Sequence, residues 1–569
     1  MYKAPVEEIA FTLRHVAGLG TGLAEGRFGD LSDDLVDAIL GEAGRFASDE
    51  IAPLAEIGDQ QGATLKDAAV TTPPGWPALY RAWAEGGWNS LTAAPEFGGQ
   101  GLPHMLHVAT MEMWNSGSMA FAIGPTLTIG AVEALSAHGS AHLKDVYLPK
   151  MVSGEWMGSM NLTEPHAGSD LGVMKTRAER RDDGTYRIFG QKIFITYGEH
   201  DFTDNIVHLV LARLPDAPPG TRGISLFLVP KFLVEADGSP GARNDVFCHS
   251  LEHKLGIHGS PTCTMIYGDG RFGEEPGAVG WLIGEENKGL ACMFTMMNNA
   301  RLAVGMQGVA IAEAATQKAL AYARQRTQGR APGWQGSGMS PIVEHPDVAR
   351  MLLTMKALTQ GARAITYACA YAVDMSHATA GDEARHWAER ASLLTPVAKS
   401  FATDVGVDVA SLGVQVHGGM GFIEETGAAR LYRDARIAPI YEGTNGIQAI
   451  DLVTRKLPLS GGDQIAGLIA ELRGIARSVG ASNDTAFGET AARLAATLDD
   501  LQAATDWLER ALAEGRQADA LAGATPYQRL FGLALTGAYL ARGALAEAGD
   551  GRGRERIALC RFAAENIIA

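Results

Sequence analysis

Apolar residues recur three and four positions apart through most of the first 155 residues, the spacing that places them on one face of a helix. The stretch DLSDDLVDAILGEAGRFASDEIAPLAEI shows this clearly, with Ser32 placed as an N-cap. Pro73, Pro74 and Pro77 interrupt the pattern, and PEFGGQGLP (95–103) reads as a loop before a helical stretch from about His104 to Ala137. Between about 156 and 285 the period changes. TYRIFGQKIFITYG, NIVHLVLARL, GISLFLVP and TCTMIYGD are β-branched and aromatic runs separated by Gly, Asp and Pro, which predicts strands of an antiparallel sheet or barrel. Helical spacing returns from about 286 in RLAVGMQGVAIAEAATQKALAYARQR and HPDVARMLLTMKALTQGARAITYACAYAVD, joined by the connector TQGRAPGWQGSGMSP. LPLSGGD (457–463) reads as a linker to an Ala-rich helical segment, 464–569. No apolar run approaches the roughly 18 residues that span a bilayer. The N-terminus carries early acids and lacks the apolar core of a signal peptide.

Composition narrows the function classes. With 46% hydrophobic residues the chain is too apolar for disorder. A net charge of −17 disfavours nucleic acid and anionic membrane surfaces, though not a local basic pocket for a small anion. Cys248, Cys263, Cys292, Cys369 and Cys560 are scattered and form no CxxC pair, so neither a disulfide framework nor a zinc site is supported. A reducing compartment, the cytoplasm, is the simple expectation, and no metal is expected.

Familiar signatures are absent: no GxxxxGK[ST], no GxSxG and no HExxH. The run Gly18-Leu19-Gly20-Thr21-Gly22 has Leu23 where a third glycine belongs and no strand before it, so it reads as a loop. Four other segments are richer in glycine and small polar residues than plain scaffold. Asn161-Leu162-Thr163-Glu164-Pro165-His166-Ala167-Gly168-Ser169-Asp170 is either a simple loop or a place where backbone approaches a ligand. In Gln191-Lys192-Ile193-Phe194-Ile195-Thr196, alternation puts Phe194 and Thr196 on one face of a strand, where an aromatic ring and a hydroxyl suit a flat heteroaromatic ligand. An ordinary amphipathic strand has the same pattern. Gln415-Val416-His417-Gly418-Gly419-Met420-Gly421 is a helix break or a phosphate approach. In Ile440-Tyr441-Glu442-Gly443-Thr444-Asn445-Gly446-Ile447-Gln448, a carboxylate among apolar neighbours has the environment of a general base; it is also placed as a glutamate near a helix N-terminus.

Taken together and in order, PEFGGQG, LTEPHAGSD, GQKIFIT, KLGIHGSPT, QVHGGMGF, RDARI and IYEGTNGIQ resemble the acyl-CoA dehydrogenase family over about residues 35–457. The resemblance implies an α+β fold. It comprises an N-terminal extension (1–34), a helical domain (35–155), a β-barrel (156–285), a four-helix bundle with the catalytic glutamate (286–460) and an extra helical domain (461–569). It implies FAD held near Leu162, Thr163, Ser169, Phe194, Thr196, Thr444 and Asn445. Arg326, Gln415, Gly418 and Gly419 match positions that grip the FAD of a neighbouring subunit, which makes dimerisation obligatory, and the C-terminal extension, placed to cover the surface that pairs dimers, favours a homodimer over a tetramer. Phe194 stands where the family commonly has tryptophan. Glu442 matches the catalytic base; Ser169, Asn298, Arg301, Tyr441 and Gly443 match the substrate side, Asn298 standing where many members carry aspartate.

The implied reaction removes an α-proton and a β-hydrogen from an acyl-CoA thioester, giving a trans-2-enoyl-CoA, and passes the electrons through FAD to electron-transfer flavoprotein. The developing enolate is stabilised by the Glu442 N–H and a flavin ribityl hydroxyl. The opening MYKAPVEEIAFTLRHVAGL and the extra C-terminal domain are most like a long bacterial subgroup, and MEMWNSGSM (111–119) points to a short acyl pocket. Two alternatives share the fold: an acyl-CoA oxidase using oxygen, and a nucleic-acid-binding relative, against which the charge of −17 speaks.

Overall fold

In a computed structural model, residues 1–273, 275–547 and 551–568 are described, except for the side chains of Asn298 and Asn299. The chain forms two compact units. One comprises Met1–Asp49, Pro103–Gly117 and Arg301–Ala569; the other comprises Glu50–Leu102 and Ser118–Ala300.

The first unit is helical. Its framework is Pro346–Ala378 against Gly381–His417, with Ala524–Ala546 packed on both. Glycine sets how closely the helices meet. A Cβ added at Gly308 would lie 2.2 Å from the Ala402 carbonyl oxygen, and one at Gly305 2.6 Å from that of Ala398. The helix through Gly305 and Gly308 therefore lies backbone to backbone on the Ala398–Ala402 turn. The C-terminal segment is built into the same unit: added Cβ atoms at Gly532 and Gly361 would sit 2.3 Å from Phe401 and Thr536. At the N-terminus, the guanidinium of Arg556 lies 3.4 Å from the Phe11 ring centroid and pairs with Glu8 at 2.8 Å. The glycine run after Ala17 is not the loop its sequence suggested. Gly18 takes a left-handed conformation and Leu19–Ala24 is helical.

The second unit is built on an eight-stranded sheet. Arg177–Arg180 pairs with both Tyr186–Thr196 and Ile206–Arg213. Through Ala278–Ile283 and Ile224–Pro230, these strands close into a ring, the barrel expected from the alternating runs. Pairing is antiparallel except where Ile206–Arg213 meets Met157–Asn161 and Arg177–Arg180. Ile206–Ala212 and Ile224–Pro230 are buried along their length, as expected of strands covered on both faces.

The expectation about membrane-length segments needs correction. Among the described residues, one helix, His104–His138, is long and apolar enough to cross a membrane, with 83% of its apolar window buried in the protein. Ser118 breaks it with φ −158° and ψ 103°. Its apolarity is that of a core helix, which the count of uninterrupted apolar residues missed because Thr, Ser, Gly and Asn dilute the run without adding charge.

Candidate active site

In the helical unit the site grows from a turn. Gly381–His417 ends at Gly418, and the chain returns through Ala428–Ala435 to reach Glu442. Glu442 and Gly443 both have left-handed backbone, φ 55° and 83°. For a glutamate this is strained, and such strain persists only where surroundings hold it. Three contacts do so. Gln448, fully buried, donates from Nε2 to the Glu442 carbonyl at 3.3 Å. Lys399, fully buried on the Gly381–His417 helix, donates from Nζ to the Gly443 carbonyl and to Asn445 Oδ1, each at 2.9 Å. The Thr444 hydroxyl caps the helix Asn445–Asp451 by accepting from the Ile447 N–H at 3.3 Å.

Burial pushes the Glu442 carboxyl above its usual range, and Arg301 and Lys399 pull it back. Burial lowers Arg301, with Asp451 and Glu442 opposing. Burial also brings Lys399 down to about 8, with Glu442 and Asp404 opposing. The Tyr441 hydroxyl donates to Gln307 Oε1 in a short contact. The apolar neighbours singled out in the sequence do not supply the burial: Ile440 and Ile447 are 49% and 39% exposed. Glu442 itself is half-buried.

Thr444 and Asn445 are both committed to the protein. Asn445 Nδ2 donates to Asp404 Oδ1 at 2.7 Å, Thr403 Oγ1 at 3.0 Å and the Ser400 carbonyl at 3.2 Å. Arg326, Gln415, Gly418 and Gly419 gather elsewhere in the same unit. The Tyr322 and His417 rings stack at 4.4 Å, which brings two helix ends together. Arg326 and Gln415 are exposed there, and a Cβ at Gly418 or Gly419 would meet nothing within 4 Å. Gln415 is sixteen residues along the helix from Lys399 (415 − 399), about 24 Å at 1.5 Å per residue. One chain therefore does not bring this end to Glu442.

In the sheet unit, the loop after Asn161 is tied to the strand Tyr186–Thr196. The Ile193 N–H donates to the Thr163 carbonyl at 2.9 Å. Lys192 Nζ donates to the Leu162 carbonyl and Glu164 Oε1, each at 2.9 Å. Glu164 also accepts from the Lys175 and Thr176 N–H groups at 2.7 and 3.0 Å. Strict alternation along the strand does not hold. Pairing slips between Cys263 and Met265, so Ile193 and Phe194 form a bulge, and the buried positions are Lys192 and Ile195, three apart. Phe194 has φ 59° and is 59% exposed. Thr196 and Thr163 are half-buried, and Ser169 is exposed beside Gly168, where a Cβ would meet nothing within 4 Å. An exposed ring on a bulged strand, with hydroxyls and open backbone nearby, fits a flat ring bearing phosphates. The open, arginine-bearing end near Gly418 fits a phosphate group as well. The Asn298 side chain lies outside the described residues.

Lys192, Glu164, Lys399, Gln307 and Gln448 were not singled out in the sequence. A signal existed for Lys399, a single charge in the apolar run Pro396–Ala402. Gln307 carried none, and Gln448 was marked only as the last residue of IYEGTNGIQ.

These geometries agree with what the chain is similar to. Acyl-CoA dehydrogenase family models match in order: the N-terminal domain at 34–155, the middle domain at 159–269 and the C-terminal domain at 287–457. An acetyl-CoA dehydrogenase C-terminal-like model matches 464–569. The chain belongs to the acyl-CoA dehydrogenase family. It is 48% identical to 3-methylmercaptopropionyl-CoA dehydrogenase of Ruegeria pomeroyi, over 96% of this chain and 91% of that protein. It is 39% identical to a butyryl-CoA dehydrogenase of Syntrophomonas wolfei, over 78% and 73% of the two chains. The solved structure of Caenorhabditis elegans ACDH-11 in complex with C11-CoA superposes with a TM-score of 0.79, covering 100% of this chain and 92% of that one. At 21% identity this last likeness concerns the fold alone.

Proposed function

We propose that this acyl-CoA dehydrogenase acts on a short acyl-CoA, with 3-methylmercaptopropionyl-CoA as the first candidate and butyryl-CoA as the second. The observation that carries the chemistry is Glu442, a carboxyl raised by burial and faced by Arg301 and Lys399. Such a group stays basic enough to take a carbon-bound proton while remaining ionised often enough to do so. The candidate substrates come from the two relatives of known activity.

In this reading Glu442 takes the α-proton of the thioester. The enolate oxygen is assigned to the Glu442 N–H, in the manner of an oxyanion hole. Tyr441 and Gly443 flank the thioester, and the tie from Tyr441 to Gln307 fixes that ring. Leu162, Thr163, Ser169, Phe194 and Thr196 hold the flavin, which when bound takes up the β-hydrogen with two electrons. With substrate and flavin in place, the half-buried Glu442 would be shielded from water. The products are a trans-2-enoyl-CoA and reduced FAD, reoxidised by electron-transfer flavoprotein.

Arg326, Gln415, Gly418 and Gly419, gathered at the end of the helix whose Gln415 lies about 24 Å from Lys399, serve the flavin of a second copy in a homodimer. The proposed setting is the cytoplasm and the degradation of dimethylsulfoniopropionate.

The test is anaerobic titration of the purified protein with a panel of acyl-CoAs while the flavin spectrum is recorded. Bleaching by 3-methylmercaptopropionyl-CoA at lower concentration than by butyryl- or octanoyl-CoA supports the reading. Preferential bleaching by a long chain overturns the substrate assignment, and a flavin that no acyl-CoA reduces overturns the chemistry.

A further inference from the structure

Lys399 bonds the segment just beyond Glu442 at two points, yet none of the sequence motifs contains it. Its helix meets the Arg301 helix backbone to backbone at Gly305 and Gly308, so its ammonium has no route to solvent between them. It ends on two neutral acceptors, the Gly443 carbonyl and Asn445 Oδ1. These lie one and three residues beyond Glu442. A buried ammonium on neutral acceptors is costly to desolvate, and a structural tie could have been made with a neutral donor. What the charge adds is a field at Glu442, which Lys399 and Arg301 share.

We propose that Lys399 is a positioning residue of the reaction: its ammonium holds the left-handed turn that presents Glu442 and supplies the positive charge that keeps this carboxylate ready to take the α-proton. The inference rests on Glu442 being the base. The other charged groups around the pair are Arg301 on its own helix, Asp404 and Asp408 on the Lys399 helix, and Arg529 on Ala524–Ala546. Asp451, Arg455 and Lys456 follow on the next helix, where Arg455 pairs with Asp451 at 2.8 Å. Asp404 is already engaged by Asn445, and Asp451 by Arg455. Lys399 also bonds the turn itself, at the Gly443 carbonyl.

The experiment measures the rate of flavin reduction at saturating acyl-CoA against pH for the wild type, Lys399→Met, Lys399→Gln and Lys399→Arg, with FAD content and melting as checks on folding. Without the cation the carboxylate holds its proton more tightly, so the acid limb moves to higher pH. A move of one pH unit corresponds to about a tenfold slower reduction on that limb. Half-saturating acyl-CoA stays unchanged, and Lys399→Arg restores most of the wild-type profile. An acid limb that does not move in a folded, FAD-containing Met or Gln variant overturns the proposal. So does failure of both neutral variants to fold beside a folded Arg variant with an unmoved limb, which makes the lysine a structural cation. Glu442→Gln run in parallel separates the two readings. If it still bleaches, the base assignment has failed, whatever Lys399 does.

Discussion

Two buried lysines organise this protein, and their surroundings differ in one respect. Lys192 meets a carboxylate, Glu164, that is saturated with donors: the ammonium itself and the N–H groups of Lys175 and Thr176. Burial works upward on Glu164 but is outweighed by Lys192 and those hydrogen bonds, which hold it below the usual range. Lys399 meets neutral acceptors, and the carboxylate it influences, Glu442, stays above the usual range because burial wins there. A carboxylate given all its hydrogen bonds becomes a strut. One that is desolvated, with cations near it, becomes a base. Both lysines are brought down by burial to about 8, so the lysine's own titration does not distinguish the two sites. The partners do.

The comparison breaks most sharply at Glu442. Glu442→Gln should leave FAD bound and slow its reduction by acyl-CoA by about 10³-fold or more, the range lost with a general base. The same variant gives a stability test with a definite sign. A carboxyl raised in the folded state favours folding below its ordinary pKa, and that contribution is lost as pH rises through the folded value. Thermal melts should therefore show the Gln variant above wild type at neutral pH, with the gap closing toward acid. At Glu164 the sign reverses, because its pKa is lowered and its contribution is present at neutral pH and lost in acid. Glu164→Ala strands the Lys192 ammonium and should cost about 3–5 kcal/mol, the usual penalty for breaking a buried pair. Urea unfolding of the two proteins measures this, and FAD content after gel filtration reports the loosened 162–170 loop. The smallest effect is expected at Arg326. Its exposed side chain donates to nearby Gln328 Oε1 at 3.3 Å, so Arg326→Ala should leave melting unchanged. Its FAD affinity should fall about tenfold, as for a lost charge-assisted hydrogen bond. Unchanged FAD retention after extensive dialysis would remove this arginine from the flavin site.

Much of the architecture was legible along the chain. The change of period near 156 and its return near 286 mark where the eight-stranded sheet begins and ends, because side chains alternate on a strand and wind on a helix; the short hairpin Thr64–Lys66 with Ala69–Thr71 was missed. Glu442 was legible because a lone carboxylate sits inside a glycine-bearing segment of otherwise small and apolar residues. Phe194 was legible as an aromatic on a strand, but not as a bulged residue with φ 59°, because the bulge depends on the partner strand's slip at Cys263–Met265. Gln307 stood in a helical run with nothing local to mark it, and Gln448 ended the IYEGTNGIQ motif with nothing to show its bond to the Glu442 carbonyl. Their roles arise from contacts 134 and 6 residues away.

The sequence by itself determined which segments are helical or extended, since this follows from side-chain spacing, and its motifs pointed by family resemblance to Glu442 as the base. The tertiary structure alone decided how strongly that carboxylate holds its proton. Two helices had to approach at Gly305 and Gly308 before Arg301 and Lys399 could face Glu442. Desolvation and charge act through space across that approach, and no spacing along the chain encodes them.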